Sequence, residues 1–124
     1  MPTLQGYGLT EASPVVRCNI PGKIKIDTVG PPFKTNQVNI ATDGEILVKG
    51  ENVMLGYWNM KKETTDVIRN GWLHTGDIGE ITEEGNLKIN DRKKEIIVNL
   101  GGDNISPSKI ENLLCLNEKI KQSF

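Results

Sequence analysis

The stretch QGYGLTE, from Gln5 to Glu11, gathers groups that nucleotide chemistry uses. Gly6 and Gly8 permit a tight backbone turn and close approach of a ligand. Tyr7, expected on a bend between them, offers a ring that can stack on a base. Thr10 offers a hydroxyl to a phosphate, and Glu11 a carboxylate to Mg²⁺. An ordinary polar surface turn accounts for the same residues equally well. A second stretch, GWLHTGDIGEI, places Asp77 after Thr75-Gly76 at the expected end of a short strand. A carboxylate there can accept hydrogen bonds from both hydroxyls of a ribose diol, or simply cap a turn through its own backbone. Arg92, Lys93 and Lys94 cluster in KINDRKKEII. A guanidinium binds phosphate or ribose oxygens bidentately, while a charged linker between domains has the same composition. Gly101-Gly102, in NLGGDNISP, allows close approach of a slim ligand or marks a plain loop. His74 is the single histidine, with no Ser or Cys at a usable spacing, and fits a packing or surface role. The sequence contains no GxxxxGK[ST], HExxH or GxSxG motif.

These residues need elements to hold them. In QVNIATDGEILVKG, Val38 and Ile40 alternate with polar neighbours, then Asp43-Gly44, then Ile46 and Val48 alternate again. That pattern predicts a hairpin. A second hairpin is expected around EEGN, with Ile78 and Ile81 before it and Leu87 and Ile89 after it. Asn70-Gly71 marks a third turn, and MKKETTDVIRN a short helix. Pro21-Gly22 and Pro31-Pro32 break the early part into loops and edge strands. The tail changes character. EIIVNL suits one strand and GGDN a loop. SPSKIENLLCLNEKIKQSF suits a helix capped by Ser106 or Ser108, with Glu111 completing a capping box after Ser108. Ile110, Leu113, Leu114 and Ile120 approximate one apolar face. Mainly antiparallel β structure with an α+β tail is the expected fold class.

Composition removes several function classes. The chain has 124 residues, room for one ordinary domain, with 15 basic and 16 acidic side chains. That balance gives no general attraction to nucleic acid or to an anionic membrane. No apolar run is long enough to span a bilayer, and the first residues lack the basic-then-apolar pattern of a secretory signal. Cys18 and Cys115 fit no metal spacing and read as reduced thiols of a cytoplasmic protein.

The order of the stretches is more specific than any one of them. QGYGLTE, GEILVKGENVMLGYW, GWLHTGDIG and DRKKEIIVNLGGDNISPSKIE together resemble the adenylate-forming superfamily, from about Gln5 to about Glu111. It includes the acyl-CoA synthetases, the adenylation domains of peptide synthetases and the luciferases, and the last stretch looks most like the long-chain fatty acyl-CoA synthetase branch. The resemblance implies that Tyr7 stacks on adenine, Thr10 binds phosphate and acyl oxygens, and Glu11 binds Mg²⁺. Gly6 and Gly8 would line the acyl and adenine pocket, Asp77 would hold the ribose hydroxyls, and Arg92 would contact ribose or phosphate. Lys94 matches the hinge, and Gly101 and Gly102 match the loop that lines the pantetheine tunnel. GEILVKG and GYW match structural parts of the family's distorted antiparallel barrel.

By the same resemblance, residues 1–90 form the end of the large AMP-binding domain, 91–94 the hinge and 95–124 the beginning of the small C-terminal domain. The implied reaction uses ATP, Mg²⁺, a fatty acid and coenzyme A, with peripheral membrane contact as a further expectation. An adenylation domain feeding a carrier protein, or a non-catalytic remnant of a split or decayed gene, carries the same nucleotide residues. The family's Ser/Thr/Gly-rich phosphate loop and its adenylation lysine are expected upstream and downstream of this sequence, so the 124 residues alone are expected to be inactive. Val98 stands where some relatives carry a second lysine, and no role is carried over to it.

Overall fold

The computed structural model describes residues 3–31, 33–98, 104–105 and 107–115. The chain divides into two compact units, residues 1–90 and 91–124. The first is an antiparallel β unit. Strand β1 (Gly6–Gly8) pairs with β2 (Val15–Cys18). A five-stranded sheet follows, formed by β3 (Asn36–Ile40), β4 (Glu45–Gly50), β5 (Ile68–Arg69), β6 (Trp72–Ile81) and β7 (Leu87–Arg92). The order is β3-β4-β6-β5, and β7 also pairs with β6. The mainly β fold class expected from the sequence is the one observed.

The predicted hairpins form, and two of them close by one device. Between β3 and β4, the Ala41 N–H donates to Glu45 O and the Gly44 N–H to Ala41 O, both at 2.9 Å. Between β6 and β7, the Thr82 N–H donates to Asn86 O and the Gly85 N–H to Thr82 O, both at 2.8 Å. Gly44 and Gly85 both take left-handed φ, +83° and +80°. This is a type I turn followed by a left-handed residue, the usual three-residue hairpin loop. Asn70-Gly71 makes the two-residue version, with both φ values positive and Arg69 facing Trp72.

Helix α1 (Lys61–Val67) ends three residues before the expected limit, and Ile68–Arg69 leaves as β5. Thr64 and Thr65 turn their hydroxyls back onto the carbonyls of Met60 and Lys61, at 2.7 and 2.6 Å. Such bonds weaken a helix, and the β-branched Val67 and Ile68 favour the sheet.

The core is small: Tyr7, Ala12, Val16, Ile46, Val48, Leu73 and Leu87, with Val38, Ile40 and Ile89 packed against it. Arg17 is buried beside Val16 at 2% exposure. Its Nη1 donates to the carbonyls of Gly30 (3.1 Å) and Gly85 (3.0 Å), tying a loop and a hairpin tip to β2. Burial lowers its pKa to about 10, because the charged form is desolvated. Arg17→Met should lower the stability of the folded protein by about 1–3 kcal/mol, since the carbonyls lose a donor in a buried place. The check is the unfolding midpoint of the variant, and an unchanged midpoint would show that the guanidinium contributes nothing.

In the second unit, β8 (Ile97–Val98) pairs antiparallel with β9 (Asn104–Ile105), and α2 spans Pro107–Cys115. Two local expectations are corrected. Among the described residues the tail holds two strands rather than one, because Asn104, read as loop, pairs with Val98. Ser108 lies inside the helix, so it cannot be its cap, and Pro107 occupies the first helical position, where its missing N–H costs nothing. Ser106 and Ile120 lie outside the described residues. Ile110, Leu113 and Leu114 form the expected face and are all exposed. Both cysteines are free thiols. No helix among the described residues is long and apolar enough to cross a membrane.

Candidate functional site

Tyr7 does not stand on a bend. It is the middle residue of β1, paired with Arg17, and is 7% exposed. Neither Gly6 nor Gly8 has a positive φ, so tight turning is not their purpose. Gly8 is needed for a close approach of backbone. A Cβ there would fall 2.0 Å from the Pro14 carbonyl oxygen, which accepts the Leu9 N–H at 2.8 Å. That contact folds the following residues, Thr10–Ala12, into a single 3-10 turn, closed by Ser13 in the left-handed region at φ 48°.

The Tyr7 hydroxyl donates to Asp77 Oδ2 at 2.6 Å, joining the first and second sequence stretches directly. Asp77 is not at the end of a short strand. It lies within the ten-residue β6, where the pairing with β4 is irregular, and is 8% exposed. Its backbone N–H donates to Thr75 Oγ1 at 3.1 Å. The arrangement gives a buried carboxylate with one oxygen engaged by a phenol.

Glu11 is held from a third direction. The Tyr57 hydroxyl donates to Glu11 Oε1 at 2.7 Å, and the Met54 N–H donates to Glu11 O at 2.8 Å. Asn52 Nδ2 donates to the carbonyls of Ala12 (2.7 Å) and Val15 (3.2 Å). Tyr57 is fixed in turn by its N–H, which donates to Thr64 Oγ1 at 2.9 Å. The hydrogen bond to Glu11 raises the phenol pKa, with burial and the Glu11 charge acting in the same direction. Tyr57 therefore remains a protonated donor. Its bond uses Oε1. Mg²⁺ is typically held by one or two carboxylates plus phosphate oxygens rather than by a full protein cage. Glu11 fits that donor set, and no group of three or more potential ligands gathers among the described residues.

Thr10 is exposed on the 3-10 turn beside Glu11. Arg92 and Lys94 belong to the second unit and are both exposed. The Glu95 N–H donates to Arg92 O at 2.9 Å, which places Lys93 and Lys94 at the centre of a β-turn. Gly101 and Gly102 lie outside the described residues. His74 lies with its Nδ1 3.1 Å from Glu45 Oε2. Tyr57, Asn52 and Glu45 are absent from the residues picked out by sequence for the site. The first two contact the Thr10–Ala12 turn from about forty positions away, and only the GYW and GEILVKG motifs mark their surroundings.

Residues 1–58 match the AMP-binding enzyme family. The chain is 44% identical over 119 residues to long-chain-fatty-acid–CoA ligase FadD15 of Mycobacterium bovis, covering 96% of this chain and 20% of that protein. It is 45% identical over 131 residues to the long-chain-fatty-acid–CoA ligase of Bacillus subtilis, covering 96% of this chain and 23% of that protein. Among solved structures, O-succinylbenzoate coenzyme A synthetase of Bacillus subtilis superposes with a TM-score of 0.87 at 33% identity, over 98% of this chain and 29% of that one. The same enzyme in complex with ATP and magnesium ion superposes at 0.81 and 34% identity, over 95% of this chain and 26% of that one.

Residues 1–58 match the AMP-binding, adenylate-forming family, and the rest of the chain is similar to its members through these relatives. Within that family its sequence is like that of the long-chain-fatty-acid–CoA ligases, of which it spans about a fifth.

Proposed function

We propose that these residues are part of an ATP-dependent long-chain fatty acid–CoA ligase of the cytoplasm, an acid–thiol ligase. The observation that carries the reading is the 2.6 Å bond between Tyr7 and Asp77, which unites two stretches that the family uses for the nucleotide. Residues 1–90 are the end of the large domain, 91–94 the hinge and 95–124 the beginning of the small domain. The division of the chain near Asn90 supports that partition.

The reaction has two steps. The fatty acid carboxylate attacks the α-phosphate of ATP, forming acyl-adenylate and releasing pyrophosphate. The thiol of coenzyme A then attacks the acyl carbon, and AMP leaves. The protein's part is positioning and charge stabilisation. Asp77 accepts the ribose hydroxyls, Tyr7 lies against the base, and Thr10 donates its hydroxyl to phosphate and acyl oxygens. Glu11 holds Mg²⁺, which when bound supplies neutralisation of phosphate charge. Gly6 and Gly8 line the pocket, Arg92 contacts ribose or phosphate, and Gly101-Gly102 flanks the pantetheine arm. Membrane contact by the fatty acid's entry side is peripheral.

The direct test uses the full-length enzyme with ATP, Mg²⁺ and coenzyme A. A long-chain fatty acid should yield acyl-CoA, and o-succinylbenzoate or a carrier protein should not replace acid or thiol. Activation of some other carboxylate, with no acyl-CoA from any long-chain acid, would overturn the substrate assignment.

Lys94→Pro should spare adenylation and impair thioester formation. Proline fixes φ near about −65° and pushes the preceding residue out of the α region, blocking rotation about the Lys93-Lys94 turn. The two half-reactions are assayed separately, by pyrophosphate exchange and by turnover of preformed acyl-adenylate. Equal loss in both would point to general damage instead of a hinge.

A further inference from the structure

We propose that Glu45 and Thr75 are positioning residues whose task is to aim Asp77 at the ribose of the bound nucleotide. This rests on the reading of Asp77 given above. The observation is an unusual bulge. Glu45 on β4 faces Ile78 on β6, and Leu47 faces His74. Between those pairs β4 has one residue, Ile46, while β6 has Thr75, Gly76 and Asp77. A regular antiparallel ladder would set one residue against one. Bulges bend a strand and re-aim its side chains, and they concentrate beside active sites. Gly76, at φ +75°, supplies the left-handed residue that this bend requires.

A bulge of this size takes peptide groups out of the ladder, and buried ones must find partners elsewhere. Two side chains provide them. Glu45 Oε1 accepts the Gly76 N–H at 3.0 Å. Thr75 Oγ1 accepts the Asp77 N–H at 3.1 Å and donates to the Ile46 carbonyl at 2.8 Å. Glu45 is only 6% exposed, and its own N–H is anchored by Asp43 Oδ1 at 3.1 Å. Its second oxygen, Oε2, lies 3.1 Å from His74 Nδ1 on the near side of the bulge. The carboxylate therefore grips β6 at two points that flank Thr75. Burying an acidic side chain is costly unless it is well bonded, and here its bonds hold an irregular backbone in place. The N–H groups of Gly76 and Asp77 are thus met by Glu45 and Thr75. The Asp77 carboxylate reaches across 70 positions of sequence to Tyr7.

The test reads nucleotide discrimination in the full-length enzyme. The values compared are kcat/KM for ATP and for 2′,3′-dideoxy-ATP, which lacks the ribose hydroxyls. Thr75→Val and Glu45→Ala should each lower kcat/KM for ATP about tenfold and lose most of the preference over the dideoxy nucleotide. Thr75→Ser, which keeps the hydroxyl, should retain the preference. If Asp77→Ala loses the preference while Thr75→Val lowers both nucleotides equally, or lowers neither, the positioning role is wrong and the ribose assignment stands. If Asp77→Ala keeps the preference intact, the ribose assignment itself falls, and the positioning role with it. Should Glu45→Ala fail to fold, the Thr75→Val and Thr75→Ser pair decides alone.

Discussion

Asp77→Ala in the full-length enzyme should raise KM for ATP and slow adenylation, by roughly ten- to a hundredfold in kcat/KM. Hydrogen bonds to a charged group are worth about 1.5–3 kcal/mol, and each 1.4 kcal/mol or so is a factor of ten. The substitution has a second consequence inside the protein. The Tyr7 hydroxyl loses its carboxylate in a place where Tyr7 is 7% exposed. An unsatisfied buried donor costs about 1–3 kcal/mol, so some loss of thermal stability should accompany the kinetic effect. Asp77→Asn separates the two, since its amide oxygen can still accept from Tyr7 while its negative charge is gone. ATP kinetics and melting temperature are measured on both variants. An unchanged rate and KM for ATP in Asp77→Ala would remove Asp77 from the site.

Glu11→Gln should cut the adenylation rate by roughly a hundredfold or more, about 2.7 kcal/mol in the barrier. It should also raise the Mg²⁺ concentration needed for half-maximal rate. Glutamine keeps an oxygen for the Tyr57 hydroxyl, so the tether at 2.7 Å can persist while the negative charge is lost. The fold around Thr10–Ala12 is anchored by backbone bonds as well, including Met54 N–H to Glu11 O, and should survive. The experiment is a Mg²⁺ titration of pyrophosphate exchange. A full rate with an unshifted Mg²⁺ dependence would mean that Glu11 holds no metal.

Parts of this structure were plain in the residues and parts were not. The three turns at Asp43-Gly44, Asn70-Gly71 and EEGN were legible because turn chemistry is local: Gly or Asn stands where a positive φ is required. β1 was not legible, since a strand of glycine, tyrosine and glycine has little β propensity of its own. It exists because Val15–Cys18 pairs with it. The bulge at Thr75–Asp77 carried no signal either, because the irregularity appears only when β6 is set against β4. Asn104–Ile105 was missed for a similar reason, being two residues long and defined by its partner. The roles proposed for Tyr7, Glu11 and Asp77 came from the order of motifs along the chain. Taken singly, each stretch suited a plain turn as well as a ligand.

The two bonds that define the site are very long in sequence. Tyr7 to Asp77 spans 70 positions and Glu11 to Tyr57 spans 46. Closing such loops costs entropy before any contact repays it, and structures dominated by distant contacts fold slowly. The Tyr7–Asp77 bond therefore cannot exist in a nascent chain that has reached only Trp58. Asp77 must emerge and β6 must settle against β4 before Tyr7 has its partner. Synthesis delivers Tyr7 and Glu11 before Asp77, and Asp77 joins them only near the end of the sheet.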